Sequence, residues 1–463
     1  MTSTTKTVVP KETTTKIEEK QIPLETKESN KDSSNTKRKV TPIRVSNSRA
    51  QTKKVPVMPL DNNNANRHNP NNKNNNLKNG FNNKKEQKTQ DLVGYLDLSR
   101  DGHGVVRASL TGEDELDAYI ATSQIKRLRL RPGDLITGPA REPKDNERFW
   151  GMIKIDTVNG KTADEIRTEN RIKFQKLTPV YPDEQLKLEM GAEPLDLRII
   201  DMVAPIGKGQ RSLLVSPPKA GKTTLMKHIA SGVAQNHPEM HVMAVLVGER
   251  PEEVTDIKRH IARITANKGE VAASNFDESA KDQCRVAELA LERAKRLVEE
   301  GKDVIILLDS ITRLARAYNL AIPTSGRTLS GGFDPAALFP PKKFFGAARN
   351  FEVPGSLTIV GTALVETGSR MDDLVYEEFK GTGNQEVHLD RRLAERRIYP
   401  AIDVQRSGTR RDDLLIPSME YLQITTLHRM LDMFDKEQRT QTMINNLKKT
   451  KSNKEFLASL KNG

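Results

Sequence analysis

VSPPKAGKTT, residues 215–224, joins the end of an apolar run to a Pro/Lys/Gly loop and then to helix-forming residues. The phosphate-loop pattern G-x-x-x-x-G-K-[ST] has glycine where this chain has Ser216, a position at which a small residue suffices. The flanking pattern is the one such a loop requires: a strand at 211–216, the loop, then a helix whose N-terminal N–H groups receive an anion. Pro218, Lys219, Ala220, Gly221, Lys222, Thr223 and Thr224 are therefore the expected nucleotide-binding stretch. Lys222 is placed to reach the β/γ-phosphates, the Thr223 hydroxyl to ligate Mg²⁺, and Lys219 to add a second cation within the loop.

Outward from this loop the chain alternates strand and helix. Strands are expected at 211–216, 241–248, 271–276, 303–309, 356–364 and 385–390. The clearest helix is 279–300, where Val286, Leu289, Ala290, Ala294 and Leu297 form one stripe. The alternation predicts a parallel sheet covered on both faces. DVIILLD, 303–309, ends in Asp309, where a Mg²⁺-directing carboxylate belongs, although Asp309-Ser310 also suits a helix cap. VLVGERPEEV, 245–254, places Glu249 at the end of a buried strand, positioned to polarise an attacking water, with Arg250 beside it. Glu252 and Glu253 follow Pro251 and suit a helix first turn. Cys284 is the single cysteine and is expected to be a small packing residue, so disulfides within the chain and cysteine zinc sites are excluded.

The net charge of +13 over 463 residues is concentrated at one end. Residues 1–90 hold 19 Lys/Arg against 8 Asp/Glu, leaving 56 against 54 for the remainder. This leader is low in aromatics and contains a tract more than half Asn. It is expected to be disordered, and its charge also suits a basic arm for polyanions. From about 91 to 160, LVGYLDL, HGVVRAS, DAYIATS, DLITGPA and RFWGMIKIDTV read as five strands of a small β-barrel. Residues 161–195 read as a charged helical connector, and 418–461 as polar-rich C-terminal helices. No apolar run suits a membrane span and no signal peptide is recognisable, so a cytoplasmic protein is expected.

PPKAGKT, GERPEEVTDIKR, LLDSITRLARAYN, GGFDPAALFPPKKFFGAARN, SLTIVGTALVETGSRMDDLVYEEFKGTGN and YPAIDVQRSGTRRDDLL together resemble the bacterial transcription termination factor Rho family over about residues 91–430. The resemblance implies a RecA-like ATPase with a parallel central sheet, preceded by an OB-like barrel, at 196–463 and 91–160 respectively. It implies a homohexamer that takes ATP and Mg²⁺, moves 5′ to 3′ along single-stranded RNA, and releases nascent transcripts from RNA polymerase.

Within that resemblance, Lys219, Lys222 and Thr223 match phosphate contacts, Glu249 the catalytic carboxylate, and Asp309 the Mg²⁺ aspartate. Arg410 matches an arginine finger acting on a neighbouring subunit, Arg397 a second interfacial arginine, and Tyr399 the aromatic against adenine. Gly248 stands where the family often has Asp. IPTSGRTLSGG (322–332, with Arg327) and ETGSR (366–370, with Thr367, Gly368 and Arg370) match central-channel RNA loops; by residue type alone both are ordinary Gly/Ser loops. Arg370 stands where the family commonly has lysine.

In the barrel, Tyr119, Glu147 and Phe149 match the primary RNA site, with Trp150 their neighbour. His103 and Val105 stand where aromatics are usual, followed by Arg107, so weaker or less cytosine-selective binding is expected. Two other functions are weighed. One is a rotary ATP synthase-type subunit, which shares the core and a GER segment. The other is a non-catalytic RNA-binding assembly protein, which needs neither Glu249 nor Arg410.

Overall fold

Alternating apolar residues build the first layer. In the computed structural model, which describes residues 88–99, 102–112 and 114–460, TQDLVGYLDL forms strand β1 (Thr89–Leu98) with Leu92 and Leu96 turned inward. Strands β2 (Gly104–Arg107) and β3 (Ala118–Ile120), helix α1 (Thr122–Leu128), and strands β4 (Leu135–Arg141), β5 (Trp150–Met152), β6 (Thr157–Val158) and β7 (Lys161–Thr162) follow. β1 pairs antiparallel with β2 on one side and with β4 on the other, so the sheet curls onto itself. Leu96, Val106, Ile120, Ile136 and Val158 fill its interior. The run DAYIATS is strand only at its centre, because Ile125 and Leu128 fold back as α1 to plug the barrel. The leader through residue 87 lies outside the described residues.

The connector differs from the helix expected. It is helical only in α2 (Ala163–Thr168), capped by Thr162 and Glu165 in a reciprocal box, and in one 3₁₀ turn at Phe174–Lys176. Pro179, Pro182 and Pro194 hold the rest extended, including the short strand β8 (Pro179–Val180). Its apolar residues Phe174, Leu177, Leu186 and Leu188 are buried, which anchors it against the second layer.

That layer runs α3 (Leu195–Val203), β9 (Arg211–Ser216), α4 (Lys222–Asn236), β10 (His241–Glu249), α5 (Pro251–Ile264), β11 (Glu270–Asn275), α6 (Ala280–Glu299), β12 (Asp303–Asp309) and α7 (Ile311–Ala321). It continues through α8 (Phe339–Phe345), β13 (Asn350–Phe351), β14 (Ser356–Leu364), α9 (Arg370–Lys380), β15 (Gln385–His388), α10 (Arg391–Glu395) and β16 (Gly408–Thr409). The strand order is β11-β10-β12-β14-β9-β15-β16, parallel except for the last pair. The strands are buried on both faces, as the continuous apolar runs require. All six expected strands are present, with β10 extended by one residue to include Glu249 and the last ending at His388. The stripe on α6 is buried, and Cys284 lies within it, its thiol pushed up to about 12 by burial and by Glu288.

Three helices close the chain: α11 (Ser418–Asp432), α12 (Lys436–Leu447) and α13 (Asn453–Ser459). Arg198 of α3, fully buried, ties them down by donating to the carbonyls of Leu447 and Thr450 at 3.0 and 2.8 Å and to Asn453 Oδ1 at 3.1 Å.

The barrel seats on α6. Arg131 reaches Glu299 at 2.8 Å, Arg296 donates to the Pro132 carbonyl at 3.0 Å, and the Tyr95 hydroxyl donates to Glu270 at 3.2 Å. Gly133, at φ +80°, lies so close to α6 that a Cβ would overlap the backbone of Glu292 and Arg293. Gly133→Ala is expected to cost about 3 kcal/mol, from left-handed backbone strain plus this overlap. A lowered urea-unfolding midpoint together with faster amide exchange in β1 and α6 checks it.

Candidate functional site

The parallel topology brings three strand ends together. β10, β12 and β14 are neighbours, and Leu246 of β10 lies in register with Asp309 at the end of β12. Glu249 and Asp309 are each about 1% exposed. β9 ends at Ser216, itself buried, whose hydroxyl donates to the Pro217 carbonyl at 2.9 Å. The turn that follows places Lys219 at φ +64° and Gly221 at φ +100°, and Gly221 caps α4 with open space on its Cβ side. Backbone N–H groups are thereby left facing outward at a 15-residue helix's N-terminus.

Lys222 turns back into the sheet. Its Nζ lies 2.6 Å from Asp309 Oδ1 and 3.7 Å from Glu249 Oε1. Thr362 of β14 donates to the same Asp309 oxygen at 2.8 Å. Arg313 of α7 lies 3.2 Å from Glu249 Oε2 and also donates to the Gly248 carbonyl. Burial, then the neighbouring Asp309, raises the Glu249 carboxyl to about 7, while Lys222 and Arg313 oppose the rise. Glu249 Oε1 and Asp309 Oδ2 are buried without a hydrogen-bond partner.

Those two open oxygens fit a divalent cation and a water. Among the described residues no cluster of three or more His, Cys, Asp or Glu could hold a metal alone. A Mg²⁺ held by Asp309, the Thr223 hydroxyl and nucleotide phosphates suits this donor set, because Mg²⁺ takes few protein ligands. The second role weighed for Asp309-Ser310 falls to the serine: Ser310 Oγ accepts from the Arg313 N–H at 3.1 Å and caps α7.

Gly248 sits at φ +62° where the β10–β11 register shifts, a bulge that turns Glu249 into the site. Asp is among the few side chains that tolerate this backbone, so Gly and Asp are alternatives of geometry at this position. Arg250 is exposed and pairs with Glu253 at 3.0 Å, away from the carboxylates. Beside α4 lies a cavity of about 360 Å³ whose wall includes Ala220, Gly221, Thr224, His228, Tyr399 and Lys448. Tyr399 thus joins the phosphate loop across 175 residues, whereas Arg397 sits exposed in the preceding turn at φ +59°. His228 of α4 and Lys448 at the end of α12 carry no sequence motif and come together only as walls of this cavity.

Arg410 is exposed and lies at the other end of the sheet. Its N–H donates to the Asn384 carbonyl at 2.9 Å, next to Arg211 at the start of β9, whereas the phosphate loop follows the end of β9. A six-residue strand separates the two by roughly 20 Å, so Arg410 cannot act on its own subunit's loop.

The two loops of the second region meet. Gly331 of 322–332 packs against the backbone of Arg370 and Met371. Arg327 and Arg370 are exposed, Gly368 takes φ +77°, and Thr367 Oγ1 donates to Asp372 at 2.6 Å. Asp372 also holds Arg316 at 2.6 Å, and Asp334 pins Ser325. These acids fix the loop stems and leave the two arginines outward.

On the barrel, Val105 and Tyr119 are cross-strand partners on the outer face, and Tyr119 lies beside His103 with ring centroids 6.2 Å apart. Arg148 stacks over Phe149 at 5.3 Å. Glu147 holds Arg141 at 2.6 Å, a pairing that keeps its carboxyl well below the usual range, at about 2. Arg107, expected at the RNA site, is engaged by acids of the barrel itself. It shares the outer face with Val105 but is buried there, covered by the Phe149 ring and paired with Asp117 at 2.7 Å and Asp97 at 3.3 Å.

Two family models match the chain: the ATP synthase alpha/beta family nucleotide-binding domain over 196–409, and the Rho termination factor RNA-binding domain over 92–164. Transcription termination factor Rho of Bacillus subtilis (strain 168) is 52% identical over 377 residues, covering 81% of this chain and 86% of that protein. The factor of the same name from Pseudomonas fluorescens biotype C is 50% identical, covering 82% and 90%. Among solved structures, an ATPase from the type III secretion system of pathogenic bacteria matches with a TM-score of 0.51 at 23% identity, covering 61% of this chain and 85% of that one, a likeness of fold.

A carboxylate accepts a proton from water only when ionised, so hydrolysis that uses Glu249 should rise with pH through about 7. Arg313→Gln removes a cation that favours the ionised form. The acid limb of the rate profile should then move to higher pH, while nucleotide Kd changes by less than about threefold. An acid limb that stays in place would show that Arg313 does not act on Glu249.

Proposed function

Because the chain belongs to the transcription termination factor Rho family, we propose that it is an ATP-driven, RNA-stimulated translocase. It moves 5′ to 3′ on single-stranded RNA as a homohexamer in the cytoplasm and releases transcripts from RNA polymerase. Among the described residues no helix is long and apolar enough to cross a membrane.

The observation that carries this reading is the split between the phosphate loop and Arg410. One subunit holds Lys222, Glu249 and Asp309 together, while its Arg410 faces outward at the far end of β9. A ring of identical copies places one subunit's Arg410 at the next subunit's γ-phosphate. Hydrolysis then occurs only between neighbours, and can report on their relative movement.

Within the pocket, the loop N–H groups and Lys219 bind phosphate, and Lys222 exchanges Asp309 for the β/γ-phosphates. Mg²⁺, when bound, neutralises charge on those oxygens. Glu249 orients and takes a proton from the attacking water. Tyr399 stacks on the base. Arg327 and Arg370 face the RNA backbone from the joined loops, and Tyr119, His103 and Phe149 stack bases on the barrel. Arg107 supports Phe149 from behind.

A rotary ATP synthase-type subunit shares the core but not the RNA-binding barrel matched over 92–164. A purely structural nucleotide site has no need of a buried carboxylate raised toward neutrality.

The deciding experiment is transcript release from stalled polymerase complexes with and without ATP. Release that needs ATP and is lost in Lys222→Ala is expected; release without ATP overturns the reading. Arg410→Ala should leave nucleotide Kd within about twofold and lower RNA-stimulated turnover about 10³-fold. Full turnover in that variant would remove the shared-site assignment. Arg370→Ala is expected to keep basal hydrolysis and lose its stimulation by RNA.

A further inference from the structure

The cavity beside the phosphate loop contains an ion pair that the hydrolytic chemistry does not use. His228 lies four residues after Thr224 on α4, so the two stack on one face about 6 Å apart along the axis. Both line the cavity, with Tyr399 on its wall. Phosphates at Gly221–Thr223 therefore direct the base toward His228.

His228 Nδ1 lies 2.6 Å from Asp196 Oδ2, and the other Asp196 oxygen accepts from the Leu197 N–H at 2.8 Å. Asp196 is buried at the start of α3, so both of its oxygens are committed. The Tyr399 hydroxyl is likewise spent on the Ala394 carbonyl. His228 Nε2 carries no such bond among the described residues, and the ring lines the cavity together with the side chains of Thr224, Glu193 and Lys448.

We propose that the His228–Asp196 pair reads the six-position of the purine base, favouring the 6-amino group of adenine over a 6-keto group. This rests on the nucleotide-site reading above. An ionised Asp196 accepts from Nδ1–H, so the neutral ring presents Nε2 as an acceptor. An acceptor pairs with an exocyclic amine and opposes the lone pairs of a carbonyl. Protonation turns Nε2 into a donor and reverses this. The Asp196 hydrogen bond holds the ring's pKa above the ordinary histidine value, with burial and Lys227 opposing. The other charged groups lining the cavity are Glu193 and Lys448. The preference should therefore be strongest in alkali and narrow in acid.

The test is equilibrium binding to the full chain of ADP and IDP, which differ at the six-position, by displacement of a fluorescent ADP. At about pH 8.5, ADP should bind about tenfold more tightly than IDP, and at about pH 5.5 the ratio should fall below about threefold. His228→Ala should flatten the ratio to about threefold or less at both pH values while ADP still binds. Asp196→Asn, whose amide donates to Nδ1 and moves the ring proton to Nε2, should invert the preference toward IDP in alkali. His228→Ala alone decides the matter if the buried Asp196 variant fails to fold. Equal affinities in the unaltered protein at alkaline pH, or a preference that persists in His228→Ala, overturn the inference and leave the nucleotide site standing. Absence of binding by either nucleotide overturns the site reading itself, and this one with it.

Discussion

Two carboxylates buried side by side set the terms for this molecule. Glu249 and Asp309 end adjacent parallel strands, and burying like charges together is unfavourable unless cations meet them. Lys222 and Arg313 supply that charge from two different helices. The arrangement is balanced against its ligand. Lys222 and Thr362 are both held by one Asp309 oxygen, which leaves the other oxygen open. The open oxygens on Glu249 and Asp309 show that the protein alone does not satisfy the site.

The same sheet separates Arg410 from the phosphate loop. In a parallel sheet every strand delivers its loop to one end, so Lys222, Glu249 and Asp309 converge there. β16 runs antiparallel to β15 and places Arg410 at the opposite end. Arg410 therefore lies out of reach of its own chain's phosphate loop.

The barrel and the ATPase layer share α6. One side of this helix packs beneath β10–β12, and its Arg293 and Arg296 meet Glu270 and the Pro132 carbonyl of the barrel junction. Gly133 sets how closely the two approach. The barrel that carries Tyr119, His103 and Phe149 is thereby seated on α6, and the loops carrying Arg327 and Arg370 are fixed on their own side by Asp334 and Asp372.

The sequence by itself determined what is local and periodic. Apolar runs located the six core strands, the stripe from Val286 to Leu297 located α6, and the loop ending Gly221-Lys222-Thr223 located the phosphate cradle, because each depends on residues close together in the chain. Position at a strand's end was enough to single out Glu249 and Asp309. The tertiary structure alone decided what depends on partners distant in sequence. It paired Arg107 with Asp117 behind Phe149 and anchored residues 161–195 by burying Phe174 and Leu186. It brought Arg313 to Glu249, and it set His228, Asp196, Tyr399 and Lys448 around one cavity. Whether a charged side chain is a free ligand or a buried support is fixed by the charges that packing places beside it, and those come from elsewhere in the chain.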